Sequence, residues 1–334
     1  MIKGCVTLAI FCVALFVVVK LANRDSGETD KTGTTQPETT QTAATPTETA
    51  AADITETPTP TSVPTALPNG PWTITQYPCT IADTQHMFYT VENQQGGLAV
   101  IDGGWDSEAD NVRQVIMEKG GVVDAWILTH PHPDHIGAFE QIYPDLQGIT
   151  IKQIYAIPMS YDGYNSSADE WDEFNVFDRF AQLATNMPEL EYLREGDQKD
   201  IVGLQMNLYN SFDNSLIGTT TDIANDSAMV FKLTGNSQSM LFCADCGVSR
   251  EKHLVETYGD QLKADYIQMG HHGNSSLSDA FYTNIGASTA FFDLPDSILK
   301  DSEKYTASHY VELMTGLGAK IYSFNTGANV ITLQ

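Results

Sequence analysis

Hydrophobic and polar positions divide the chain into three parts. Residues 4–19 form a continuous apolar run, residues 24–71 contain almost no large apolar residues, and regular apolar spacing begins at Trp72. A folded domain must bury apolar side chains, so the pattern predicts a domain boundary at this point. We expect a membrane anchor or signal segment at 1–23, a Thr/Pro-rich disordered linker at 24–71 and one folded domain at 72–334.

The first part is typical of a segment that enters a membrane. Its apolar run is close to the ~18 residues that span a bilayer, and no convincing small-residue cleavage site follows Val19. These features favour an uncleaved anchor over a removed signal peptide. The linker suits a spacer on the cell surface, with a cytoplasmic tether as the alternative. We therefore expect the domain to be attached to the cell membrane and to lie outside it.

Within the domain, the apolar spacing changes repeatedly between strand and helix. Strands are predicted at 72–78, 87–93, 97–104, 122–130, 148–159, 227–233, 238–245, 264–270, 288–294, 320–324 and 329–333. Helices are predicted at 106–121, 169–187, 249–258, 278–286 and 307–318. Hairpins mixed with alternating strands and helices predict an α/β fold in which helices cover two sheets, rather than a doubly wound parallel sheet.

The stretch LTHPHPDHIGAF, residues 128–139, concentrates potential metal ligands. On extended backbone, side chains two residues apart face the same way, so His130 and His132 can hold one ion, while Asp134 and His135 turn towards a neighbouring position. Two prolines restrict the backbone between them. Imidazoles with a carboxylate suit zinc, although iron and manganese use the same atoms. The isolated histidines at 86, 253 and 309 are expected to be structural or surface residues.

Charge and cysteine content narrow the classes of function. The net charge is −26 at pH 7, and the predicted domain carries 36 acidic and 13 basic side chains, a net charge of −23. Such a field repels polyanions, so nucleic acid is not an expected partner. The domain has three cysteines, Cys79, Cys243 and Cys246. We expect the last two to be core-filling thiols, with zinc binding or redox pairing as the alternative.

Four motifs in a fixed order resemble the metallo-β-lactamase superfamily of hydrolases. They are VIDGG, ILTHPHPDH, MLFCADCG and LKADYIQMGHHGNSS. The pattern formed by NDSAMVFKL, SMLFCAD and LKADYIQMGHHG is most similar to the ComEC-type hydrolase domain and its stand-alone relatives. This resemblance spans about residues 72–334. The resemblance implies a four-layer αββα sandwich that binds two divalent metal ions.

The resemblance also implies roles for single residues. It makes Asp245 a ligand that bridges the two ions and places Asp102 as a structural residue beneath the metal loop. Of the late histidines, one would ligate and the other would donate a proton or hold substrate, and the sequence does not choose between them. We take His271 as the ligand and His272 as catalytic, together with Asp134. Substrate contacts are expected from three polar residues, namely Asn225, Asn274 and Ser275.

Two departures from the family pattern concern the site. Many members carry a further histidine between the HPHPDH loop and the bridging aspartate, whereas this chain has none between His135 and Asp245. The first ion would then complete its shell with water, a late histidine or substrate. In addition, Asn274 replaces the serine that usually follows HHG in ComEC-like members.

The expected function is hydrolysis by a membrane-anchored, surface-exposed enzyme that uses a metal-bridging hydroxide on phosphodiesters or related esters. Its substrate would be a small molecule or an envelope polymer. Zinc is the expected metal, with manganese and iron as alternatives. The alternative functions are a ComEC-like nuclease, an iron-dependent sulfur dioxygenase and a non-catalytic surface binding module.

Overall fold

The computed structural model describes residues 69–325 and 327–334, apart from the side chain of Glu170. The predicted anchor lies outside these residues, as does the predicted linker up to residue 68. The first strand begins at Trp72. In the described part of the chain, no helix combines the length and apolar character needed to cross a bilayer.

One large sheet contains both ends of the domain. From edge to edge its strands are β16 (Asn329–Leu333), β1 (Trp72–Gln76), β2 (Phe88–Asn93), β3 (Leu98–Asp102), β5 (Ala125–Ile127), β7 (Ile154–Ala156) and β8 (Leu190–Tyr192). Neighbours from β16 to β3 run antiparallel, and those from β3 to β8 run parallel. The parallel strands therefore bring their carboxyl ends to the same edge of the sheet.

The second large sheet has the same division into halves. Its strands are β15 (Lys320–Tyr322), β14 (Thr289–Phe291), β13 (Tyr266–Gln268), β12 (Ser239–Phe242), β11 (Val230–Thr234), β10 (Leu204–Asn210) and β9 (Gln198–Ile201). Neighbours from β9 to β12 run antiparallel, and those from β12 to β15 run parallel. A separate two-stranded sheet pairs β4 (Val122–Val123) with β6 (Thr150–Ile151).

Helices flank the two large sheets. They are α1 (Ala109–Glu118), α2 (Pro133–Ile142), α3 (Tyr161–Ser167), α4 (Phe174–Ala184), α5 (Ile223–Asp226), α6 (Val248–Tyr258), α7 (Asp279–Ile285), α8 (Asp296–Leu299) and α9 (Ala307–Gly316). Apolar side chains of α1, α2 and α4 join the core that contains the first sheet. Those of α6, α7 and α9 join a second cluster on the outer face of the second sheet.

The two sheets pack face to face through aromatic side chains. The Tyr89 ring of β2 lies 5.4 Å from the Phe242 ring of β12 and 6.2 Å from the Phe291 ring of β14, centroid to centroid. Because side chains alternate along a strand, Leu241 faces the other way, into the cluster beneath α6 and α7. The layers are therefore helix, sheet, sheet and helix, which confirms the predicted αββα sandwich.

The structure corrects several predicted elements. The predicted helix at 169–187 is broken at Glu173, whose φ of 45° is left-handed, so that a 3₁₀ turn at Glu170–Asp172 precedes α4. The predicted strands at 122–130 and 148–159 each divide between the large and the small sheet. Strands β8 and β9 were missed because they are short and carry charged side chains. Strand β10 was also missed, although its sequence LQMNLYN alternates between apolar and polar residues over most of its length. Four helices were also missed, namely α2, α3, α5 and α8.

A buried polar network joins the sheets beside the aromatic core. Gln76 Nε2 of β1 donates to Asp293 Oδ1 at 2.6 Å, and Gln268 Nε2 of β13 donates to Asp293 Oδ2 at 2.9 Å. The Tyr89 hydroxyl donates to the same carboxylate at 2.7 Å. Burial raises the pKa of Asp293 above its usual value. His272 and the three hydrogen bonds reduce this shift without reversing it. The network supplies the partners that a buried carboxylate requires.

We expect Gln76→Leu to lower the free energy of unfolding by about 2–4 kcal/mol, because it removes a buried donor from Asp293. Gln205→Leu is a matched control, since Gln205 is exposed in β10, and should change stability by less than about 0.5 kcal/mol. Urea unfolding of the full-length chain, followed by circular dichroism, measures both. Equal losses in the two variants would contradict a special role for the network.

Candidate metal centre

Histidines and aspartates from separate segments meet where the parallel halves of the two sheets end. His130 lies on the loop after β5, and the next ligand-type residues lead into α2. Asp245 follows β12, and His271 and His272 follow β13 within a 3₁₀ turn. Side chains at the carboxyl ends of strands in both sheets therefore face a common space.

The metal loop, residues 130–135, is only partly extended. His132 is extended, with φ −93° and ψ 152°, but it is the N-cap of α2, which begins at Pro133. The expectation of extended backbone through His135 is therefore wrong. Proline fits the first helical position because its missing N–H has no intrahelical partner there. The helical turn separates Asp134 and His135 from the two preceding histidines, so the loop contributes to two groups of ligands.

Two groups of buried side chains can each hold a metal ion. The first is His130, His132 and Asp245, and the second is Asp134, His135 and His272; within each group the ligand atoms lie within 4.8 Å of one another. Asp245 also approaches the second group, because its Oδ1 lies 3.1 Å from His135 Nε2 and its Oδ2 lies 3.3 Å from His272 Nε2. Its carboxylate therefore lies between the two groups.

Unpaired polar atoms show that these residues fit metal ions. The Nε2 atoms of His130, His132 and His135 are buried without hydrogen-bond partners, as is Oδ1 of Asp245. His135 Nε2 and Asp245 Oδ1 are close, but they are not aligned as a hydrogen bond. Buried polar atoms without partners are unfavourable, and one cation in each group would satisfy them. Imidazole and carboxylate ligands suit zinc, manganese or iron.

Asp102 orients one of the histidines. It ends β3 at a left-handed φ of 53°, and it accepts hydrogen bonds from the Thr129 backbone N at 2.8 Å and from the Thr129 hydroxyl at 2.7 Å. His135 Nδ1 lies 2.7 Å from Asp102 Oδ2. Because a carboxylate accepts, Nδ1 carries the proton and Nε2 presents its lone pair towards the metal group. The structure thus places Asp102 beneath the metal loop.

The late histidines occupy different environments. His272 is fully buried, and its Nε2 lies 3.1 Å from Asp134 Oδ2. The side chain of His271 is 32% exposed, and its Nε2 lies 3.9 Å from Asp245 Oδ2. Both have left-handed backbone, with φ 45° and 57°. This geometry favours the reverse of the assignment taken from the sequence, with His272 as the ligand and His271 facing substrate.

Carboxylates control protonation in the cluster. Burial alone would lower the pKa of His272, but Asp245 and Asp134 raise it to about 10. Burial likewise opposes a raised pKa at His135, and Asp245 and Asp102 hold that pKa well above its usual range. Metal ions bind neutral imidazoles, so metal binding would release protons from these residues.

A cleft of about 300 Å³ opens over the groups. It is lined by Gln85, Trp105, His132, Pro133, Asp134, Trp171, Glu173, Asp222, Asn225, Asp245 and His271. Gln85 supports its wall, because its Nε2 donates to Asp134 Oδ2 at 3.1 Å and its carbonyl oxygen accepts from Trp105 Nε1 at 2.7 Å.

The three predicted substrate contacts are not equivalent. Asn225 lines the cleft, and its Oδ1 is buried without a hydrogen-bond partner. Asn274 Oδ1 accepts from the Thr306 backbone N at 2.9 Å, and the Ser275 backbone N donates to the Thr306 hydroxyl at 2.6 Å. Neither Asn274 nor Ser275 belongs to the cleft lining. We therefore retain only Asn225 as a candidate substrate contact.

Two carboxylates beside His132 were not identified from the sequence. His132, Asp172 and Asp222 form a further group within 4.8 Å, and Asp172 Oδ1 lies 3.7 Å from His132 Nε2. Both aspartates lie in the interval where a further histidine was missing. They are alternative donors for an ion near His132. Local sequence gave no signal for them, because Asp172 fell inside the predicted helix and Asp222 fell outside every predicted element.

The two late cysteines lie in the core. Cys243 and Cys246 are buried free thiols within the cluster on the outer face of the second sheet. Burial raises the pKa of both thiols. The backbone N of Cys243 donates to Gln268 Oε1 at 2.9 Å. Their surroundings favour the core-filling interpretation.

Sequence comparison now identifies the family. The sequence model of the metallo-β-lactamase superfamily matches residues 82–280 of this chain. These residues contain all the ligand-type residues described above. The chain belongs to the metallo-β-lactamase superfamily, a class of metal-dependent hydrolases. Comparison with curated protein sequences finds no match. The finer resemblance to the ComEC-type domain stays a prediction.

Solved structures share the fold at low identity. The metallo-β-lactamase fold protein YhfI from Bacillus subtilis is 13% identical, with 78% of this chain and 100% of YhfI covered and a TM-score of 0.48. CmlA, a diiron β-hydroxylase from Streptomyces venezuelae, is 10% identical, with 79% of this chain covered and a TM-score of 0.51; this chain spans 54% of CmlA. Yeast PDE1 is 10% identical, with coverages of 79% and 99% and a TM-score of 0.49. Of these likenesses, the one to CmlA shows the fold alone.

The neighbouring late histidines provide a matched pair of variants. His272→Ala should lower the bound zinc by about one ion per full-length chain relative to the unsubstituted chain, because it removes a ligand from the second group. His271→Ala should leave the bound zinc unchanged. Elemental analysis after equilibrium dialysis against zinc measures this difference, and circular dichroism checks that both variants fold. The opposite pattern would restore the assignment taken from the sequence.

Proposed function

We propose that this chain is a two-metal hydrolase of phosphodiesters or related esters. The observation that carries the proposal is the position of Asp245, which lies between two ligand groups at the floor of an open cleft. Carboxylate-bridged pairs of ions are suited to displacement at phosphorus, because one site stabilises the attacking oxygen and the other the leaving oxygen. We propose zinc as the metal, with manganese and iron as alternatives.

Different residues around this centre have different proposed roles. When bound, the ions would lower the pKa of a water molecule and stabilise the charge that develops on the attacked group. His272 and His135 hold the pKa of Asp134 well below its usual range against the effect of burial. Asp134 therefore remains ionised and can accept a hydrogen bond from the attacking water. His271 lies at the cleft wall, where it can donate a proton to the leaving group.

Cleft chemistry favours a substrate that carries a positive charge beside its phosphate. None of the described residues that line the cleft is a lysine or an arginine, whereas Glu173 and Asp222 add carboxylates to its wall. Trp105 and Trp171 add indole rings, which attract cations through their faces. A small zwitterionic phosphodiester, free or as part of an envelope polymer, meets these conditions.

Basic residues elsewhere do not offer a path for polyanions. The bases nearest to the metal motifs in the sequence each lie beside a carboxylate; they are Lys119, Lys152, Arg250, Lys252 and Lys263. Their charge is locally compensated, so long-range attraction of a nucleic acid backbone is weak.

We expect kcat/KM to be at least about tenfold higher for p-nitrophenyl phosphorylcholine than for the p-nitrophenyl ester of thymidine 5′-phosphate, since both release the same leaving group. Trp171→Ala should reduce this preference, because it removes an indole from the cleft. Assays use the full-length chain at low ionic strength with zinc or manganese.

Other outcomes identify the alternative functions. If single- or double-stranded DNA were cleaved tenfold faster than the choline ester, a difference of about 1.4 kcal/mol, the nuclease interpretation would replace this one. Absence of turnover with bound metal would indicate a binding module. Selective retention of iron together with oxygen consumption would indicate a sulfur dioxygenase.

We also propose that residues 1–23 anchor the protein in the cell membrane with the catalytic domain outside. The apolar run and the Thr/Pro-rich linker support this proposal. Protease added to intact cells should release the domain, because a polar linker on the cell surface would be accessible to cleavage. A cytoplasmic protein expressed in the same cells is the control. Protection of the domain until lysis would show the inverse orientation.

A further inference from the structure

A separate cluster of potential ligands lies at the loop between β1 and β2. It consists of Cys79 and His86 from this loop and Glu108 from the 3₁₀ turn before α1, and its ligand atoms lie within 4.8 Å of one another. None of these residues belongs to the groups around Asp245. We propose that Cys79, His86 and Glu108 form an additional, structural zinc site, here called the loop site.

The tautomer of His86 presents a free lone pair to the loop site. His86 is fully buried, and its Nε2 lies 3.0 Å from the carbonyl oxygen of Tyr77. A carbonyl only accepts hydrogen bonds, so Nε2 carries the proton and Nδ1 does not. Nδ1 is buried without a hydrogen-bond partner. A ring whose outer N–H is held by a carbonyl, with its other nitrogen unpaired, has the arrangement typical of a zinc-binding histidine.

Space and protonation at His86 agree with metal binding. A β-carbon at Gly104 would collide with Nδ1 of His86, so only glycine keeps that region clear. Burial lowers the pKa of His86 to about 4. The imidazole is therefore neutral at physiological pH, which is the form that binds metal.

Glu108 and Cys79 complete the set of ligands. Glu108 is buried and fixed, because its Oε1 accepts from the Thr80 backbone N at 3.1 Å and its Oε2 accepts from Asn111 Nδ2 at 3.2 Å. Without metal, the Cys79 thiol donates a hydrogen bond to Glu108 Oε1 at 3.7 Å, and zinc would take the place of the thiol proton. Ligand atoms on a tetrahedral zinc with bonds of about 2.0–2.3 Å lie about 3.3–3.8 Å apart, so small side-chain rotations suffice.

Zinc binding at the loop site is balanced by loss of one proton. Burial raises the pKa of the Cys79 thiol to about 12, so without metal the thiol is protonated. When the sulfur–zinc bond forms, the thiol proton passes to solvent. Cys79 is only partly buried, which leaves room for water as a fourth ligand. No oxidant or reductant is required.

The loop site would brace one wall of the cleft. Gln85, the neighbour of His86, contacts both Asp134 and Trp105. An ion that fixes His86 against Glu108 therefore restrains the backbone from which Gln85 reaches the metal centre. Its role is structural, because the loop-site residues do not line the cleft.

Cobalt substitution distinguishes the loop site from the main centre. The main centre has no proposed cysteine ligand, so a near-ultraviolet thiolate-to-cobalt absorption band reports the loop site alone. We expect the metal-depleted full-length chain to bind about three Co²⁺ ions and to show this band. Cys79→Ser should bind about two and lose the band, and His86→Gln should weaken the corresponding Co²⁺ affinity at least about tenfold. Cys243→Ser is the matched control and should keep the band.

Several results would overturn the loop site while leaving the proposed hydrolase intact. These are a band that survives Cys79→Ser, a band that disappears only in Cys243→Ser, or two bound cobalt ions without a thiolate band in the unsubstituted chain. If Cys79→Ser does not fold, thiol labelling of the unsubstituted chain decides instead. Zn²⁺ should protect Cys79 from a thiol reagent, as located by peptide mapping, and unchanged labelling would reject the proposal.

Discussion

The carboxylate of Asp245 is the point on which the two halves of the molecule depend. Nitrogens of four histidines lie within 3.1–3.9 Å of its oxygens: His130, His135, His271 and His272. Asp245 follows β12 of the second sheet, whereas the loop that carries His130 and His135 follows β5 of the first.

Gln268 fixes the backbone between β12 and Asp245, because its Oε1 accepts from the backbone N of Cys243 and of Ala244 at 2.9 and 2.7 Å. The same side chain donates to Asp293 in the network that joins the sheets, so the packing of the sandwich and the position of the Asp245 carboxylate are coupled.

Burial explains why this meeting point calls for cations. Asp102, Asp134 and Asp245 are buried beside imidazoles, and isolated charges in such surroundings carry a large desolvation penalty. Protonated histidines can compensate the negative charge of the carboxylates. For this reason the pKa values of His135 and His272 are raised. Divalent ions offset them more completely, since they also satisfy the unpaired Nε2 atoms. Metal binding should therefore stabilise the fold and assemble the site through the same contacts.

Sequence revealed those parts of this arrangement that depend on local pattern. Apolar spacing was sufficient for the two-sheet architecture, and the short spacing of His130, His132, Asp134 and His135 was sufficient for two ligand groups. Contacts across large sequence separations could not be derived in this way; Gln85, Asp172 and Asp222 reach the centre only through the fold. At the HHG turn, the sequence could not assign separate roles to the two neighbouring histidines, for a different reason. Left-handed backbone at both histidines abolishes the simple alternation of side chains, so spacing alone could not assign their directions.

A phosphate that enters the cleft would experience two opposing electrostatic effects, an attraction at short range and a repulsion at longer range. Ions held by the two groups would attract a phosphate oxygen at contact distance, but Asp134 and Asp245 compensate much of that charge at longer range. Beyond the groups, Glu173 and Asp222 make the cleft wall negative, and the predicted domain as a whole is strongly acidic. A substrate with a single phosphate gains the short-range attraction and avoids most of the repulsion, whereas each additional phosphate of a polymer adds repulsion without a second pair of ions to meet it. A cationic substituent on the proposed substrate would reverse the sign of the outer interaction, and the indole of Trp171 in the cleft lining would attract its charge. Under the proposed function, selectivity between these substrates would therefore arise from acids that need not touch the reacting phosphate.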